Sequence, residues 1–118
     1  MKKNLDATRT YSDIHEKSVC KALGATQCSN SGAGNFRKGD CVQSAASLLL
    51  ECKTTMTEKS SVSIKKEWID KNDEERFSMR LENQAICFNF GPGTKNYYVI
   101  NEKLMKFLVE KLEEEYEV

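Results

Sequence analysis

Between Gly39 and Lys53 the chain places a turn glycine, Asp40, a stretch long enough for a hairpin, and then Leu48-Leu49-Leu50-Glu51-Cys52-Lys53. Side chains in a strand alternate faces. A strand over Ser47 to Thr54 therefore puts Leu49, Glu51 and Lys53 on one face and Leu48, Leu50 and Cys52 on the other. Three leucines in a row mark the strand as interior, where an isolated carboxylate or ammonium is costly, so Glu51 beside Lys53 calls for pairing or a function. Asp40, at the start of the preceding strand, is placed to meet Glu51 across the hairpin. Two converging carboxylates repel, and a divalent cation is the usual resolution.

The elements that must hold these groups follow from the flanking sequence. Thr10 with Asp13 reads as a capping box opening a helix that ends at Leu23, with Gly24 as its stop. Glu16, Val19, Cys20 and Leu23 fall at helical spacing on one stripe. Glu16 is then either a third carboxylate of the site or a stripe-edge residue that reaches water. His15, the one histidine, lies about 100° around the helix and reads as a surface residue, which argues against histidine-based catalysis. Residues from Ala25 to Ser29 suit a first strand. The following Ser29-Asn30-Ser31-Gly32-Ala33-Gly34-Asn35 is a loop, either carrying Ser31, Gly32, Arg37 and Lys38 towards a phosphate backbone or simply connecting strands. It lacks the Gly-Lys-Ser/Thr ending of a nucleotide-binding P-loop.

Past a polar stretch, Ser63 is expected to cap a helix running to about Arg80, with Ile64, Trp68, Ile69 and Phe77 inward. Lys65 and Lys66 in its first turn oppose the helix dipole, so they either await an anionic partner or form a solvated pair. Strands are expected over Ala85 to Phe90 and Tyr97 to Ile100, joined by the Gly91-Pro92-Gly93 turn. Asn101 caps a last helix with an apolar stripe through Leu104, Phe107, Leu108 and Leu112. The order is helix, three strands, helix, strands, helix: an α/β fold with a mixed sheet flanked by helices.

The 118 residues suit a single domain, 1–118, and 18 Lys+Arg balance 18 Asp+Glu, so a positive face must be local rather than global. Glu113, Glu114, Glu115 and Glu117 gather acid at the C-terminal end, while Arg37, Lys38, Lys53, Lys59, Lys65 and Lys66 fall near the candidate site. Five cysteines, odd in number and widely spaced, fit neither a disulfide framework nor a zinc site and read as reduced core thiols. With no apolar run for a membrane span or signal peptide, a cytoplasmic protein without membrane partners is expected.

The ordered set of Glu16, Ser31-Gly32, Gly39-Asp40 and Glu51-Cys52-Lys53 resembles the PD-(D/E)xK nuclease superfamily, and within it the archaeal and phage Holliday junction resolvases. The resemblance covers Ser12 to Phe90, with Gly39 standing where that motif usually has proline. It implies a restriction-endonuclease-like αβββαβ core with an extra C-terminal helix, and a metal-dependent endonuclease cutting branched DNA. Mg²⁺, with Mn²⁺ as a substitute, would be held by Asp40, Glu51 and the backbone carbonyl of Cys52, with Glu16 a direct or water-mediated ligand. Lys53 would orient the attacking water. Ser31, Gly32, Arg37, Lys38, Lys65 and Lys66 would contact DNA. Two cuts related by a two-fold axis imply a homodimer, for which Phe88, Phe90, Tyr97, Tyr98 and the last helix offer material, although the same residues could complete the monomer's core. Another nuclease of the superfamily, of repair, replication or restriction type, is the alternative, as is a non-catalytic nucleic-acid-binding module of the same fold.

Overall fold

The computed structural model describes residues 2–28 and 40–117. The elements are α1 (Lys2–Leu23), β1 (Thr26–Gln27), β2 (Cys41–Gln43), a 3₁₀ turn (Ser44–Ala46), β3 (Leu48–Lys53), α2 (Lys66–Ser78), β4 (Asn83–Phe88), β5 (Tyr97–Val99) and α3 (Glu102–Tyr116). Five strands form one sheet in the order β1-β2-β3-β4-β5. Only β3 and β4 run parallel, from Leu48↔Asn83 to Lys53↔Phe88, and α2 is the crossover such a pair requires. The α/β class with a mixed sheet is as expected.

The β2–β3 hairpin is shaped by two residues. Gln43 accepts the Ala46 N–H with its side chain at 3.1 Å, closing the 3₁₀ turn. Ser47 then takes a left-handed φ of 52° and releases the chain into β3. The register Cys41↔Leu50, Val42↔Leu49, Gln43↔Leu48 follows. Val19, Cys20, Cys41, Leu50, Ala85 and Cys87 make the core between α1 and one sheet face. Leu49 and Ile86, alternating to the other face and equally buried, lie under α2. The result is three layers, α1, sheet and α2.

Five expectations change. Phe77, expected inward on α2, is 75% exposed. Helix α1 begins at Lys2, so Thr10 and Asp13 lie inside it rather than opening it. Helix α2 begins at Lys66; Lys65, not Ser63, takes the cap position, with extended backbone and no side-chain cap bond, and the acidic residue that suits the dipole is Glu67. Strand β4 starts at Asn83, whose N–H is bonded to Ser47 O at 2.8 Å, and ends at Phe88 rather than Phe90. His15 is buried, not on the surface: it stands one turn before Val19 on the stripe that meets the sheet, and its Nε2 lies 3.0 Å from Asn96 Oδ1. Asn101, by contrast, caps α3 as expected, accepting the Leu104 N–H at 2.9 Å.

Helix α3 contributes no buried residue. Met105, Phe107, Leu108, Val109 and Leu112 are each at least 41% exposed, so its stripe does not complete the monomer's core. An apolar cleft of about 780 Å³ separates Leu104, Phe107 and Leu108 from Leu23, Leu48 and Leu50. Phe88, Phe90 and Tyr97 instead pack on one another, with ring centroids 5.6 to 5.8 Å apart.

Candidate functional site

Alternation along β3 sends Glu51 and Lys53 to the α2 face, as the sequence predicts. Lys53 Nζ lies 3.2 Å from Glu51 Oε2, with the side chains 32% and 17% exposed. The ammonium also sits 4.6 Å from the centre of the Trp68 ring, a cation–π contact, and Lys65 Nζ approaches the same ring at 5.8 Å. Trp68, Asn72 and Glu75 project from α2 at helical spacing and with Glu67 and Lys71 form the far wall of a groove of about 450 Å³. At its base Asn72 donates to Gln84 Oε1 at 3.0 Å.

Asp40, one residue before β2, is buried and pinned at three points. Its N–H donates to Leu50 O at 2.9 Å, its carbonyl accepts from Cys28 N at 2.8 Å, and its Oδ2 accepts the Cys52 N–H at 2.7 Å. The β2–β3 pairing stops at Cys41↔Leu50, which leaves that Cys52 N–H for the carboxylate. Within an extended strand the N–H and C=O of one residue point to the same edge, so the Cys52 carbonyl shares this edge with Asp40. Asp40 and the Glu51–Cys52 peptide thus meet where β2 begins, with Lys53 next along β3.

Glu16 stands on α1, in the layer across the sheet from the groove. Its Oε1 takes a hydrogen bond from Gln27 Nε2 at 3.0 Å, and the same amide reaches Asp13 at 3.2 Å. Lys66 turns to Asp70 of its own helix at 2.8 Å, which raises its pKa, while Lys65 leans over the Trp68 ring. Ser31, Gly32, Arg37 and Lys38 lie outside the described residues. The described residues on either side, Cys28 and Asp40, are hydrogen-bonded to each other. Among the described residues no three His, Cys, Asp or Glu side chains are gathered closely enough to hold a metal by themselves.

Sequence reasoning passed over Glu75 and gave Trp68 only a packing role. Burial, and then the charges of Cys41, Asp40, Glu75 and Glu16, push the half-buried Cys28 thiol up to about 11, so the fields of three carboxylates from α1, β2's entry and α2 overlap there. A helical spacing of Trp68, Asn72 and Glu75 was the available signal, but only the crossover that lays α2 over β3 and β4 turns it towards Glu51.

The five cysteines are free thiols, as expected; Cys41, Cys52 and Cys87 lie on the sheet face that meets α1, and Cys20 opposes them from that helix. Cys20 Sγ lies 2.6 Å from Cys41 Sγ, and Cys87 Sγ lies 3.7 Å from His15 Nε2. Hydrogen bonding from Cys52, then from His15, draws Cys87 down to about 5, while bonding to Cys41, then to Cys87, raises Cys52. Burial raises Cys20 to about 12.

No protein-family model matches the chain, and no curated protein or solved structure matches it significantly.

Proposed function

We propose that the chain is a metal-dependent endonuclease of the PD-(D/E)xK type that hydrolyses phosphodiester bonds in branched DNA. The observation that carries this reading is the seating of Asp40 Oδ2 on the Cys52 N–H, directly beside the Glu51–Lys53 pair on the same strand. The element order, helix, three strands, helix and a strand parallel to the third, supports it as the core that the resembled superfamily uses.

Mg²⁺ keeps several waters and is ordinarily bound through one or two carboxylates together with substrate phosphates, so the absence of a three-carboxylate cage among the described residues does not count against it. Hard oxygens are what the site offers: the Asp40 and Glu51 carboxylates and the Cys52 carbonyl would hold the ion, while Glu16, in the layer across the sheet, accepts from Gln27. Once bound, such an ion polarises the phosphate and makes a bound water acidic. Lys53 holds an attacking water by its Nζ protons and offsets charge developing on the phosphate oxygens. Glu51 aims that ammonium, and Trp68 limits its swing. Lys65, beside Trp68, would supply a cation for the DNA backbone, as would Arg37 and Lys38, which precede Asp40 in sequence. Five free thiols suit a reducing, cytoplasmic setting. No helix among the described residues is long and apolar enough to cross a membrane.

A homodimer completes the proposal, because a four-way junction presents two cuts to a domain with one site. Its support is α3. The exposed apolar face lies on a helix whose early turns carry Lys103 and Lys106 and whose end carries Glu113, Glu114, Glu115 and Glu117. Those terminal carboxylates face the negative pole of their own helix, and an antiparallel second copy would set them against the lysines.

The test is a cleavage panel in Mg²⁺ with four-way junction, flap, nicked duplex, linear duplex, single strand and RNA. Junction cutting that Asp40→Asn abolishes is the expected result. Equal cutting in EDTA overturns the metal assignment. Preference for linear duplex or RNA leaves a nuclease of another kind, and junction binding without any cutting would make the chain a binding module.

A further inference from the structure

We propose that Cys20 and Cys41 form a dithiol oxidation site, which a hydroperoxide converts to a disulfide tying α1 to β2. The two sulfurs lie 2.6 Å apart on elements 21 residues distant in the chain. The sulfurs are therefore already in contact and would have to close by about half an ångström to the roughly 2.05 Å of a disulfide. The side chains also face one another: Cys20 comes down from the helix and Cys41 comes up from the sheet. Cys52 and Cys87 are partners in register on parallel strands, so their Cβ atoms project side by side from one face, an arrangement that brings thiols into contact without aiming them at each other.

The chemistry balances with a peroxide as oxidant. One thiol attacks the O–O bond of H₂O₂, taking one oxygen as a sulfenic acid and releasing the other as water. The second sulfur attacks the sulfenic sulfur and displaces a second water. Two S–H bonds and one O–O bond break, one S–S bond forms, and two electrons pass from sulfur to oxygen. Cys20, 9% exposed against a fully buried Cys41, is the point of entry for an oxidant little larger than water. The bond would lie one helical turn beyond Glu16 and next in sequence to Asp40, locking the helix to the sheet beneath both. The proposal stands on the sulfur geometry and is independent of the nuclease reading.

The experiment uses the full chain, treated with H₂O₂ under native conditions, quenched and denatured. Titratable thiols should fall from five to three. The mass should drop by about 2 Da, reversibly with dithiothreitol. A peptide map of the wild-type protein should join the Cys20 and Cys41 peptides, and the oxidised protein should melt several degrees above the reduced one. Cys20→Ser should lose both the mass change and the thermal shift. Five remaining thiols, a map joining Cys52 to Cys87 or two chains to each other, or a Cys20→Ser protein that still loses the two protons would each overturn the assignment. The wild-type map decides the matter even if the variant does not fold.

Discussion

Lys53→Met separates what this lysine does for the fold from what it does for chemistry. Methionine keeps a flexible apolar stem against Trp68 and removes only the charge. Two unit charges 3.2 Å apart attract by roughly 5 kcal/mol at an effective dielectric of about 20, taking 332/(20 × 3.2). That figure overstates the loss. Lys53 is 32% exposed, and two residues so close in sequence remain neighbours in the unfolded chain, so the pair contributes about 1 kcal/mol net. The cation–π contact at 4.6 Å adds about 1 kcal/mol, part of which a methionine sulfur on the same ring restores. Stability should therefore fall by about 1–2 kcal/mol in urea unfolding. Loss of a charge-stabilising group in the proposed reaction is larger, roughly 10²- to 10³-fold in rate, or about 3–4 kcal/mol of barrier. Single-turnover cleavage of a fluorescent junction in Mg²⁺ measures it on protein confirmed folded. Cleavage within threefold of wild type would refute the assigned role, leaving Glu51 and Lys53 as an ordinary structural pair.

Gly91→Ala should cost about 2–4 kcal/mol, because φ is +147° there and a Cβ would stand 2.7 Å from Glu58 Cα; an unchanged denaturation midpoint would contradict this. Alkaline pH should weaken the fold. Burial raises Cys20 to about 12, Cys28 to about 11, and Tyr98 as well, so the folded state keeps protons that the unfolded state has released; this contribution is whole below pH 9 and is lost as pH climbs towards 11. Urea midpoints that rise between pH 8 and 10.5 would reverse the sign. Leu108→Glu, on the 41% exposed face of α3, should leave the melting temperature nearly unchanged while shifting light scattering towards the 13.4 kDa monomer. A wild-type protein already monomeric at micromolar concentration removes the dimer.

The β3 segment was legible because alternation alone puts Leu49, Glu51 and Lys53 on one face and Leu48, Leu50 and Cys52 on the other; the first set lies under α2 and the second under α1. Asn101 and Gly24 were legible as punctuation for local reasons. The start of α1 was not, since the same Thr-x-x-Asp spacing that caps a helix is tolerated inside one when the preceding residues are good helix formers. His15 was misplaced because the stripe was drawn through Glu16; which of two adjacent residues faces the sheet depends on the tilt of α1, and Asn96, eighty-one residues later, provides the bond that accommodates a buried imidazole. The same holds for Trp68 over Lys53 and for Cys20 against Cys41. Each joins elements whose relative placement no local pattern encodes. The exposed face of α3 escaped for the opposite reason, as an apolar stripe reads identically whether the monomer or a second molecule covers it.

The local hairpin has a consequence for how the chain survives its own synthesis. Residues 41–53 can close as soon as they emerge, whereas the parallel edge of β3 waits for α2 to be made and to bring β4 alongside. Until then an unpaired strand edge of three consecutive leucines is open to any other extended chain, the situation in which nascent proteins aggregate. Glu51 and Lys53 end that run with two charges, which resist edge-to-edge stacking of like strands, as gatekeeper residues do. The same pair that is assigned to hydrolysis in the finished protein thus also protects the half-made one.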